Sequence, residues 1–140
     1  MPARSDLVSR EYLFKMIESR RHESERILDE GNIPYYGEGI DYVHGLINSE
    51  WTAQYHISEA PKCGDINDMT SITAYYDHIG RESIINTIET VLHEKESKLE
   101  EFRASGVDIG IDYMRGMIVG LNSILYYLTY YVPKCREDMR

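Results

Sequence analysis

The sequence predicts an all-α protein: two duplicated helical hairpins packed as a pseudo-twofold four-helix bundle. Three observations support this. At a shift of 71 positions, 16 of the 42 residues from Asp6 to Ile47 are identical to their partners without a gap, and Pro61-Lys62-Cys63 recurs one residue later as Pro133-Lys134-Cys135. Apolar residues in both copies recur at heptad-like spacing. The alternating apolar–polar pattern of strands is nearly absent. The expectation is a single domain over 1–140, with the duplication covering 6–63 and 77–135.

The elements follow in order. Asp6 and its copy-two equivalent Asp77 are expected to cap the first helix of each copy. In copy two the seam reads Ile85, Ile88, Leu92, Leu99 and Phe102, broken once by Lys95. In copy one it reads Phe14, Ile17, Arg21, Ser24 and Leu28, more polar in the middle. Ile17, Leu28, Ile88, Leu92 and Leu99 are therefore expected to be buried. The first helices end near Gly31 and near Ser105-Gly106. The loops that follow differ between copies, Asn32 to Gly37 against Gly106-Val107, and Asp108 is expected to cap the next helix.

The second helices span about Gly39 to Ser58 and Ile109 to Tyr131. Gly45 and Gly116 recur at equivalent places inside them, and Gly120 lies one turn beyond Gly116. A glycine in a helix interior costs roughly 1 kcal/mol against Ala, so these three residues mark expected close helix crossings. Asp112, Arg115 and Asn122, with Asp41, His44, Asn48, Glu50 and Gln54 in copy one, argue against a membrane span. Residues 64–76, rich in Asp, Asn, Thr and Ser, form the expected crossover between copies.

Composition narrows the function classes. The net charge of −9 and the lack of a Lys/Arg cluster argue against direct nucleic-acid binding. An acidic surface suits a basic protein partner, mimicry of nucleic acid or simple dispersal. Met1 to Asp6 has no apolar core of the signal-peptide kind, so the expected location is the cytoplasm. There Cys63 and Cys135 are expected to be free thiols, although a bridge is geometrically conceivable. No phosphate loop, nucleophile elbow, Cys/His framework or dinucleotide fingerprint is present. The protein is expected to be no enzyme and to use no cofactor.

Three constellations remain. Glu18, His22 and Glu25 recur as Glu89, His93 and Glu96, each set on one helical stripe. Facing stripes could bind zinc, manganese or iron. A solvated stripe of helix-stabilising pairs explains the same spacing. Asp41-Tyr42 and Asp112-Tyr113 open the second helices, where Asp favours the positive end of the helix dipole and Tyr can pack on the first helix. The third constellation is tyrosine, at 12 residues against 2 Phe and 1 Trp. Consecutive tyrosines on a helix cannot all face one core. Tyr126, Tyr127, Tyr130, Tyr131 and Trp51 are thus candidate interface anchors, with core packing or a stacking surface for a nucleotide as other uses.

The stretch from Leu99-Glu100-Glu101-Phe102 to Ser105-Gly106, followed by Ile111-Asp112-Tyr113-Met114-Arg115-Gly116 and Ile124-Leu125, resembles the helical hairpins of small phage and prophage accessory proteins. The resemblance implies a viral, non-enzymatic protein that binds a host or virion component, such as an inhibitor of host defence working in the host cytoplasm. It carries no site residue. The expected function is a protein-binding module, a homo-oligomer by self-association. The alternative is a bundle holding a metal ion or a small nucleotide-like ligand between the repeats.

Overall fold

The computed structural model of the chain describes residues 6–31, 39–62 and 78–132. Asp77, Cys63, Cys135, residues 32–37 and the crossover lie outside the described residues.

The protein is an all-helical four-helix bundle. Helices α1 (Arg10–Glu30) and α2 (Gly39–Glu59) form the first hairpin, and α3 (Arg81–Ala104) and α4 (Ile111–Tyr130) the second. The most extensive contact is between α2 and α4, with α1 flanking α2 and α3 flanking α4. The copies therefore join through their second helices, and the first helices lie outside.

The α2–α4 crossing is set by glycine. A Cβ on Gly45 would collide with the Tyr113 carbonyl oxygen and lie 2.8 Å from Met117 N; one on Gly116 would collide with the Tyr42 carbonyl and lie 3.1 Å from Gly45 Cα. Gly120 instead makes room for the Ser49 side chain, while at Gly45 and Gly116 the neighbours are backbone. Main chain meets main chain here, and the packing gained offsets the helix-propensity cost of glycine.

The core runs between the helix pairs. Ile17, Ile88, Leu92 and Leu99 are buried, whereas Leu28 is only partly so. The first seam position also needs correction. Leu13 and Ile84 are the buried residues there, while Phe14 and Ile85 are partly buried against the same cluster. Ile84, Ile88 and Leu92, at steps of four, fall within one inward stripe of α3.

A two-stranded sheet is the element that the sequence pattern did not suggest. Strand β1 (Leu7–Ser9) pairs antiparallel with β2 (His78–Gly80), in the register Leu7↔Gly80, Val8↔Ile79 and Ser9↔His78. Each strand is three residues, too short for an alternating pattern to stand out. Val8 and Ile79 are equivalent positions of the two copies, and both are core residues. The pseudo-twofold relation thus passes through their pairing.

Capping differs from expectation for a related reason. The N-cap of α1 is Ser9, whose hydroxyl accepts from Tyr12 N at 3.2 Å. The equivalent residue Gly80 has no side chain to offer. Asp6 supplies it from the other copy: its Oδ2 accepts from the Glu82 backbone N–H at 3.1 Å, and Oδ1 lies 3.4 Å from Arg81 Nε. At the other end, Arg10 donates to the carbonyls of Ile57 and Ser58, and Arg81 to those of Leu128 and Thr129. The arginine of the recurring Arg-Glu pair therefore ties the start of each first helix to the end of its partner, meeting carbonyls left open at a helix C-terminus. Gly110, at φ 91°, is the N-cap of α4, and Asp108 lies outside the helix.

Candidate functional site

The two copies part at a few equivalent positions of the sequence. Copy two packs α3 on α4 with Leu92, Leu121 and Leu125, all buried. Copy one has Arg21, Glu50 and Gln54 in those places, also buried. One backbone arrangement thus carries an apolar layer in one half and a polar layer in the other.

Most of that polar layer is satisfied. Arg21 donates from Nε to Gln54 Oε1 at 3.0 Å and from Nη1 to Glu25, and Gln54 Nε2 donates to the Phe14 carbonyl at 3.2 Å. The Arg21 guanidinium also lies over Trp51, 3.7 Å from the ring centroid, which gives that half-exposed ring a cation–π partner.

Glu50 is the exception. It is 4% exposed, and its Oε1 has no hydrogen-bond partner among the described residues. Burial pushes the carboxyl up to about 7, against the opposing pull of the Ser24 hydrogen bond and of Arg20 and Arg21. Arg20 donates from Nη2 to Ser123 Oγ on α4, yet its buried Nε is likewise without a partner. Both residues line a groove of about 820 Å³. Met16 and Ile27 of α1 supply its apolar walls, and Tyr12 and Tyr127 its aromatic ones.

The Tyr12 and Tyr127 hydroxyls share a hydrogen bond at 3.0 Å. Burial and that bond push the Tyr127 hydroxyl up to about 12. From Tyr127 an aromatic chain leads outward along α4. Tyr127 stacks with Tyr131 at 6.2 Å between centroids, and Tyr126 meets Tyr131 at 5.6 Å and Tyr130 at 4.9 Å. Tyr126, Tyr130 and Tyr131 are 56%, 69% and 60% exposed. No charged residue occurs from Gly116 to Val132.

The structure does not gather the Glu/His stripes. His22, Glu89, His93 and Glu96 are exposed on the two outer helices, Glu18 is partly exposed, and Glu25 is engaged by Arg21. Among the described residues no group of three His, Cys, Asp or Glu side chains could hold a metal ion. The stripes lie on α1 and α3, which flank different central helices. Among the described residues no helix is long and apolar enough to cross a membrane.

Glu50, Arg20 and Gln54 were not candidates from sequence. The signal that singles them out is the copy alignment: Arg20 falls on Val91, Glu50 on Leu121 and Gln54 on Leu125. Comparison with family models, with curated proteins and with solved structures gives no match.

Proposed function

We propose that this protein is a non-catalytic binding module that works as a homo-oligomer, joined through the tyrosine-bearing half of α4. The observation that carries this is the exposure of Tyr126, Tyr130 and Tyr131 on a stretch free of charge, in a chain of net charge −9. Two such chains repel over most of their surfaces within the Debye length of about 8 Å at physiological salt. An uncharged aromatic face is where they can approach without that cost. Tyrosine suits the role, since its ring is apolar and its hydroxyl stays hydrogen-bonded. An accessory or inhibitory action on a host or virion protein, as the phage-protein resemblance implies, would be exerted by this assembly.

Light scattering of wild type against the double variant Tyr126→Ala, Tyr130→Ala tests the proposal. The expected result is a wild-type mass that is a multiple of 16.3 kDa, falling to the monomer mass in the variant with helicity retained. A wild type that stays monomeric at high concentration overturns it.

A further inference from the structure

The α1–α4 groove keeps a buried acceptor, Glu50 Oε1, and a buried donor, Arg20 Nε–H, both without partners among the described residues. An unmet buried polar atom destabilises the fold. The fold does not require either one. Leu121 and Val91 stand at the equivalent positions of copy two, the first in the core and the second packed against it. Both residues line the same groove, so a ligand that carries a donor and an acceptor suits the pair.

Charge and shape narrow its chemistry. Arg20 and Lys15 on the groove wall are balanced by Glu23 and Glu50. A cation would be opposed by Arg20 and by Arg21 behind Glu50, and an anion by the two carboxylates, so a neutral ligand fits best. Met16, Ile27, Tyr12 and Tyr127 suit a flat, largely apolar body. The volume of about 820 Å³ lies within the range of roughly 300–1,000 Å³ usual for small-molecule sites.

We propose that this groove binds a nucleobase, free or as a nucleoside, with a base N–H donating to Glu50 Oε1 and the neighbouring carbonyl or ring nitrogen accepting from Arg20 Nε–H. Each common base carries such a donor beside an acceptor on one edge, and aromatic side chains are the usual platforms for its faces. The net charge of −9 disfavours a polynucleotide, so the ligand is a single small molecule.

Calorimetric titration of the full chain with adenosine, guanosine, cytidine and uridine tests this. At least one should saturate at one site per chain, with a Kd below about 1 mM. Glu50→Leu and Arg20→Val, which install the residues of copy two, should each weaken binding by about tenfold or more while helicity persists. Glu50→Gln, which keeps an oxygen acceptor of the same shape, should retain binding that Glu50→Leu loses, and equal loss in both overturns the acceptor role. The Tyr126→Ala, Tyr130→Ala variant should bind like wild type, which separates this site from the assembly face. Saturation by none of the four nucleosides means that water alone fills the groove and overturns the proposal. Unchanged affinity in Glu50→Leu or Arg20→Val overturns it as well.

Discussion

The carboxylate of Asp6 accepts the backbone N–H of Glu82 at 3.1 Å, so a residue of copy one caps the first helix of copy two. Removing a side-chain cap costs about 1 kcal/mol, and here the contact with Arg81 is lost as well. Asp6→Ala should therefore destabilise the protein by about 1–2 kcal/mol in denaturant titration. Amide exchange should quicken at Glu82 and Ser83, 76 and 77 residues from the mutation, while the Ser9-capped start of α1 stays protected. Faster exchange confined to α1 would assign the cap to the wrong helix.

Glu50 makes stability depend on pH in a direction opposite to that of a salt-bridged carboxylate. Its folded-state pKa is about 7 against an ordinary 4.5, so the folded protein binds more protons than the unfolded chain between those values. Its contribution is fully present below about pH 4.5 and is lost as pH rises through 7, by about 3 kcal/mol in all. Glu50→Gln should remove that slope. Unfolding free energies of wild type and variant at pH 5 and pH 8 give the comparison, and parallel changes in both would exclude Glu50 as the source.

Two glycines should respond to alanine for different reasons. At Gly45 the new methyl meets the main chain of α4, so Gly45→Ala should cost about 2–4 kcal/mol despite the better helix propensity of Ala. At Gly31 nothing lies within 4 Å, but φ is 71°, and Gly31→Ala should cost only about 1 kcal/mol through backbone strain. Equal effects at the two sites would mean that α2 and α4 are not in main-chain contact.

The tyrosines of α4 should separate by stability. Tyr126→Ala and Tyr130→Ala should each change the stability of the isolated chain by less than about 0.5 kcal/mol, as exposed substitutions do. Tyr127→Ala removes a ring packed against the core and the bond to Tyr12, and should cost about 2–4 kcal/mol. Thermal unfolding at low protein concentration, where assembly is suppressed, distinguishes them.

The bundle was legible because its signals are periodic or repeated. Ile17, Ile88, Leu92 and Leu99 lie on a seam, and Gly45 recurs as Gly116. The strand pair was not legible: three residues of β1 find their partners 69 to 73 positions away, and nothing local encodes that pairing. Local spacing makes Asp6 a cap of its own helix and cannot show a cap supplied across copies. Glu50 escaped because an acidic residue in an amphipathic helix ordinarily faces water. Only its alignment with Leu121 shows that it points inward. For the Glu/His stripes the spacing left two readings open, a metal site and a solvated stripe, because regular spacing on one helix says nothing about what faces it.

The Val8–Ile79 pairing also governs how the chain completes itself. Closing a loop of 71 residues costs about 4 kcal/mol in chain entropy, about 2 kcal/mol more than the short connection between α3 and α4. The partner strand of Val8, the main chain that fits the notch at Gly45, and the amide that Asp6 holds all belong to copy two. The first hairpin alone therefore lacks these three partners. The duplication makes the molecule an intramolecular dimer, in which each half is completed by the other.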